Sequence, residues 1–245
     1  MTDRCFALIP AAGIGARTGT AIPKQYLPVA GQPMIAHTLT AFAAVDVIER
    51  IVVVISEADG WFDDLELDAA LMARVTVFRV GGATRDATVA NGLAAMRDVV
   101  DADDWILVHD AARCGITPAL ITSLIDRVRS DDVGGLLAVP LDDTVKRATA
   151  GSPEFHASTS ETVDRLGLWR AQTPQMFRHR MLGEAIADAH ARGIAMTDES
   201  SALEAAGHRT LLVPGSPRNF KVTTADDLAM MDQLLRAGFH MSPSR

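Results

Sequence analysis

Short apolar runs alternate along the chain with longer segments in which apolar residues recur every three or four positions. The short runs predict strands over 5–10, 50–55, 75–80, 105–109, 136–140 and 210–213. The longer segments predict helices over 34–43, 85–96, 119–129, 181–191 and 225–236. Strand and helix in regular succession are the pattern of an α/β fold with a mostly parallel, doubly wound sheet. Two helix starts carry explicit signals. Thr117-Pro118 offers a cap followed by proline at the first helical position, and Thr224 with Asp227 three residues on resembles a capping box.

Between residues 141 and 169 the alternation breaks. This stretch is polar, holds Gly151-Ser152-Pro153 near its middle, and is flanked by the β-branched Thr144-Val145-Lys146 and Glu161-Thr162-Val163. It reads as two extended segments joined by a turn, a β-arm projecting from the sheet, with Lys146 and Arg147 as solvated arm charges. A lone two-stranded hairpin is marginal in water. The arm is therefore expected to pair with a second copy of the chain, making a homodimer. The expected organisation is a single domain over 1–245, with 141–169 as an arm subdomain used for dimerisation.

At 245 residues the chain is long enough to bury a substantial core. Its net charge of −8 argues against a general nucleic-acid binder, which needs a basic face to displace counterions. A locally basic cleft for a small anion remains compatible with it. Cys5 and Cys114 fall in no CxxC or Cys/His metal spacing, so a reduced, cytoplasmic protein without a dedicated metal site is expected. No signal-peptide pattern opens the chain, and no apolar run approaches the ~20 residues of a membrane helix.

Candidate chemistry begins where the first strand ends, at Pro10-Ala11-Ala12-Gly13-Ile14-Gly15-Ala16-Arg17, with Pro23-Lys24-Gln25 following. Small residues there let backbone N–H groups approach a phosphate chain. The loop is neither a GxxxxGK[ST] loop nor a GxGxxG fingerprint. Arg17 and Lys24 bracket it, placing two cations where a triphosphate would lie. No Ser/His/Asp or Cys/His constellation suggests covalent catalysis.

Further motifs follow in order: Gly81-Gly82-Ala83-Thr84-Arg85, His109-Asp110-Ala111-Ala112-Arg113, Asp143-Thr144-Val145-Lys146-Arg147 and Val163-Asp164-Arg165-Leu166-Gly167-Leu168-Trp169. Gln172-Thr173-Pro174-Gln175, Thr197-Asp198-Glu199-Ser200-Ser201-Ala202 and Asn219-Phe220-Lys221-Val222-Thr223 complete the set. In order and spacing, from residue 6 to about 236, this set resembles the 2-C-methyl-D-erythritol 4-phosphate cytidylyltransferase family, Rossmann-like nucleotidyltransferases. The resemblance implies transfer of CMP from CTP to the polyol phosphate, with Mg²⁺ held mainly by the CTP phosphates and water. It assigns charge stabilisation to Arg17, Lys24 and Lys221. It implies CTP contacts at Ala11, Ala12, Gly13, Gly82, Thr88, Asp110, Ala111 and Arg113. Methylerythritol phosphate falls to Asp110, Thr144 and Arg165, the last two reaching a neighbouring subunit's site. His109 reads as a satisfied core histidine.

The chain departs from the family pattern at Cys114 (usually proline), Thr18 (commonly methionine) and Ala83 (frequently acidic). A ribitol 5-phosphate cytidylyltransferase is the nearest alternative, disfavoured by the His109–Arg113 and Val163–Trp169 motifs. A non-catalytic nucleotide-binding module is disfavoured by retention of Arg17, Lys24 and Lys221.

Overall fold

A computed structural model of the chain describes residues 4–13, 22–149 and 158–238. Its first strand, β1 (Cys5–Pro10), sets the logic of the whole. Successive side chains leave opposite faces of a strand. Cys5, Ala7 and Ile9 enter one buried cluster, and Phe6 and Leu8 enter another. A strand apolar at every position has to be covered on both faces, which is the situation of a parallel sheet between helical layers.

A 3₁₀ turn (Lys24–Tyr26) and the short pair β2 (Pro28–Val29) and β3 (Gln32–Pro33) lead into α1 (Met34–Ala43). Then come β4 (Ile48–Val54), α2 (Ala69–Met72), β5 (Val75–Phe78), α3 (Arg85–Ala95), β6 (Trp105–Val108), α4 (Pro118–Val128) and β7 (Gly134–Pro140). The strands β8 (Val145–Ala148), β9 (Thr159–Val163) and β10 (Trp169–Arg178) precede α5 (His179–Ala191), α6 (Glu199–Ala205), β11 (Leu211–Pro214) and α7 (Ala225–Arg236). Both cap signals are realised: the Thr117 hydroxyl accepts from the N–H of Leu120, and Thr224 and Asp227 form a reciprocal capping box.

The seven-stranded sheet runs in the order β11-β7-β10-β6-β1-β4-β5. The pairs β6–β1, β1–β4, β4–β5 and β7–β11 are parallel, and β10 is antiparallel to β6 and β7. Helices α1 and α4 cover one face through Ile35, Leu39, Phe42, Ile121, Leu124 and Val128. Helices α3, α5 and α6 cover the other through Val89, Leu93, Leu182, Ile186 and Leu203. From β1 the chain moves outward to β4 and β5, then returns through α3 to β6 on the far side of β1. The crevice at the carboxyl ends of β1 and β6 is thus the topological switch point, where such sheets bind ligands.

Periodicity did not anticipate β10. Its alternation is interrupted because Gln172, Thr173 and Pro174 stand opposite the single residue Leu137, between the pairs Ala171–Ala138 and Gln175–Leu136. The extra residues bulge out of the ladder. Pro174, which has no N–H to give the ladder, follows a cis peptide bond. The bulge turns the buried Thr173 to the end of β6, where it accepts from the Asp110 N–H at 3.0 Å, and the buried Gln172 to the Ser216 carbonyl.

Strands β8 and β9 pair antiparallel as a separate hairpin, Val145 opposite Val163 and Lys146 opposite Thr162. The Gly151-Ser152-Pro153 turn expected between them lies outside the described residues. Beyond β9, Leu166 is 88% exposed, and Leu168 and Trp169 are partly exposed. Both cysteines are buried and unbridged. Among the described residues, no helix is long and apolar enough to cross a membrane.

Candidate active site

A cleft of about 470 Å³ opens at the switch point, lined by residues 10–13, Lys24, Gln25, residues 82–85, Thr88, residues 110–112 and Lys221. The Ala11-Ala12-Gly13 segment is held by two bonds: the Ala11 N–H donates to the Val54 carbonyl at 2.7 Å, and the Gln25 amide donates to the Ala11 carbonyl at 2.7 Å. The facing wall comes within touching distance. A Cβ at Gly81 would stand 2.3 Å from that of Ala12, and one at Gly82 would stand 2.6 Å from that of Ala87. Glycine at 81 lets this loop lie against Ala12, and glycine at 82 lets it fold back on the start of α3. Thr88 ties the glycine loop to α3, accepting from the Gly82 N–H at 3.1 Å and donating to the Thr84 carbonyl at 2.8 Å.

The chemistry concentrates at the end of β6. Asp110 is almost fully buried and faces three cations: Arg85 Nε at 2.7 Å, Lys221 Nζ at 2.9 Å and Arg113 Nε at 3.8 Å. Burial alone would raise its carboxyl, but Arg85 and Lys221 outweigh that and hold it well below the usual carboxylate range. Arg85 bridges to Glu199, with Nη1 at 2.6 Å and Nη2 at 3.1 Å from the two carboxylate oxygens. Burial would lower the guanidinium; its two carboxylate neighbours raise it instead.

Lys24 reaches the segment that carries Lys221, although the two lie far apart in sequence. Lys24 Nζ donates to the Val222 carbonyl at 2.7 Å, and the Val222 N–H donates to the Ala112 carbonyl at 2.8 Å. The fully buried Asn219 donates to the Thr173 carbonyl at 2.8 Å, and Arg113 donates to the Asn219 carbonyl at 2.9 Å. The segment 215–222 is thereby laced to the end of β6 and to the β10 bulge. The result is a polar cleft with fixed cations and one carboxylate. Its cations are placed to bind and polarise phosphates.

The family model for 2-C-methyl-D-erythritol 4-phosphate cytidylyltransferase matches residues 5–237. The chain belongs to this family. It is 51% identical over 240 residues to the 2-C-methyl-D-erythritol 4-phosphate cytidylyltransferase of Ralstonia nicotianae, covering 95% of this chain and 92% of that one. It is 50% identical to the protein of the same name from Paraburkholderia phytofirmans, covering 96% and 97%. Among solved structures, one described as 4-diphosphocytidyl-2C-methyl-D-erythritol synthase superposes with a TM-score of 0.80 at 38% identity, over 96% of this chain and 99% of that one. The 2-C-methyl-D-erythritol 4-phosphate cytidylyltransferase of Francisella tularensis superposes with a TM-score of 0.78 at 33% identity, over 94% and 99%.

Of the residues that resemblance to the cytidylyltransferase family singled out, Ala11, Ala12, Gly13, Lys24, Gly82, Thr88, Asp110, Ala111 and Lys221 all line this one cleft. Arg17 and Thr18 lie outside the described residues. Arg113 sits behind the cleft wall, holding Asn219 and the Ala171 carbonyl. Thr144 and Arg165 are exposed on the arm and do not line the cleft of their own chain. His109 is a core residue: its Nε2 faces the Arg113 carbonyl at 3.3 Å and its Nδ1 faces the Thr173 hydroxyl at 3.0 Å. Ala83 lines the cleft without charge, and burial pushes the Cys114 thiol up to about 12. The sequence reading gave no role to Arg85, although its motif was in view. Its position at the start of α3, just after a capping threonine and a glycine pair, was the available signal.

Proposed function

We propose that the chain transfers the cytidylyl group of CTP to 2-C-methyl-D-erythritol 4-phosphate and releases pyrophosphate. The convergence of Lys24, Asp110 and Lys221 on one cleft, in a chain half identical to enzymes of that name, carries the reading. A phosphate monoester has a second pKa of about 6, so the acceptor is largely dianionic near neutrality and attacks without a general base. One of its oxygens forms a bond to the α-phosphorus as the bond to the pyrophosphate oxygen breaks, with no net proton transfer. The protein supplies in-line alignment and positive charge. Lys24 and Lys221, joined by Arg17, would stabilise charge on the α-phosphoryl oxygens and the departing pyrophosphate. Ala11, Ala12, Gly13, Gly82, Thr88 and Ala111 would frame the nucleotide, and Arg113 would support that wall from behind.

Both oxygens of Asp110, the one cleft carboxylate among the described residues, are paired with Arg85 and Lys221, so Mg²⁺ in the cleft would be held by CTP phosphates and water. Bound there, Mg²⁺ would neutralise charge on the phosphate chain.

We read the arm as a dimer element of a single nucleotidyltransferase domain, because a polar hairpin followed by exposed Leu166, Leu168 and Trp169 needs a covering partner. Thr144 and Arg165 would then complete the polyol site of the other copy. The test is pyrophosphate release from CTP with Mg²⁺, using methylerythritol phosphate and ribitol 5-phosphate in parallel. Fast turnover with the former and poor turnover with the latter is expected; equal or better kcat/KM with ribitol 5-phosphate would overturn the assignment.

A further inference from the structure

Two motifs, residues 172–175 and 197–202, do not line the cleft, yet they are built into each other. The Gln175 side chain donates to Asp198 at 2.9 Å and accepts from the Ser200 N–H at 2.8 Å. Asp198 caps α6 by accepting from the Ser201 N–H at 3.0 Å. These bonds fix the first turn of α6 against β10. The first residue of that turn is Glu199, whose side chain is 2% exposed and points to Arg85.

The outcome is a line of alternating charge: Glu199, Arg85, Asp110, Lys221. A buried ion pair is a weak device for stability, because desolvation offsets most of its attraction. Its geometry is specific, however. A guanidinium presents a rigid fork of donors. Glu199 occupies Nη1 and Nη2, so Arg85 has only Nε to give Asp110 Oδ1, and Asp110 Oδ2 is left for Lys221 at 2.9 Å. Without Glu199 the fork is free to turn and take both oxygens of Asp110, which pulls Asp110 off Lys221.

We propose that Glu199 is a positioning residue for the transfer reaction: by holding the far edge of Arg85, it limits Arg85 to one bond with Asp110 and keeps Asp110 on Lys221. This rests on the reading of the cleft given above. Glu199→Gln keeps the shape and removes the charge. With CTP and methylerythritol phosphate it should lower kcat between about 10- and 100-fold, the scale for misplacing a group near the chemistry. KM for CTP should stay within about threefold, because the contact removed orients the site rather than binds the nucleotide. Arg85→Lys removes the fork but not the charge and should give the same pattern. The double variant should be no slower than the slower single, since both break one chain of contacts.

Wild-type-like kcat in a folded Glu199→Gln protein, even with a lowered Tm, would overturn the proposal by leaving Glu199 a purely structural role. So would losses that multiply in the double variant. If Glu199→Gln fails to fold by circular dichroism, Arg85→Lys with Glu199 intact decides: unchanged kcat overturns the proposal, and loss of kcat at constant KM supports it. A wild-type enzyme that does not turn over these substrates would reject the reading of the cleft, and this proposal with it.

Discussion

His109 offers a test of the core beneath the site. Its ring is fully buried, tilted against Phe42 at a centroid distance of 5.2 Å, and held between the Thr173 hydroxyl and the Arg113 carbonyl. Burial pushes the imidazole down to about 3, with Asp110 pulling it up and Arg113 pushing it further down. An unfolded histidine titrates near 6.5. Between those values the unfolded chain binds the proton and the folded chain does not, so stability falls as pH is lowered from 6.5 towards 3. Linkage makes the loss at pH 5 about 2 kcal/mol relative to pH 7.5, and about 1 kcal/mol at pH 6. In a protein of this size, 2 kcal/mol corresponds to a fall in Tm of about 4–8 °C. The perturbation is His109→Phe, which keeps a ring and removes the titration. The variant will be less stable overall, so the measure is the change between pH 7.5 and pH 5 in urea unfolding, taken for each protein separately. The wild type should lose about 2 kcal/mol more than the variant across that interval. Equal losses in the two proteins would refute the assignment of a neutral, proton-excluding His109.

Lys24→Ala should lower kcat by at least ~100-fold, the scale for removing one preorganised charge-stabilising donor, while CTP binding weakens far less. Steady-state pyrophosphate release and CTP titration check this, and a wild-type kcat would remove Lys24 from the mechanism. For the arm, mixing inactive Lys24→Ala and Arg165→Ala chains should restore activity, because in a mixed dimer one site receives both defects and the other none. No recovery despite demonstrated subunit exchange would place Arg165 in its own chain's site or in none.

Most of the sheet was legible because its strands are apolar on both faces and short, so the runs at 5–10 and 105–109 stand out from any background. The caps at Thr117 and Thr224 were legible because they are local. What escaped was non-local or irregular. Strand β10 hides behind Gln172-Thr173-Pro174, polar and proline-bearing residues that read as a break in a strand and that the fold uses as a bulge. Lys24 was legible as a cation beside the glycine loop and Lys221 only through resemblance to a family, and the fold brings both to one cleft. The Arg85–Glu199 pair spans 114 positions and leaves no periodic trace in either helix. An arginine at a helix start and a glutamate just inside another are ordinary sequence features; only the fold makes them neighbours.

The bond from Lys24 to the carbonyl of Val222 crosses 198 positions of the chain. During synthesis the glycine-rich loop, the sheet centre and most of the core emerge long before that carbonyl exists. A nascent or truncated chain ending ahead of residue 221 lacks one cleft cation and the anchor of another. The electrostatics of the cleft are thus assembled last, by a segment that belongs to neither helical layer. Activity becomes a report on completion of the chain: an interrupted product of translation would have no finished cleft in which to handle nucleotide.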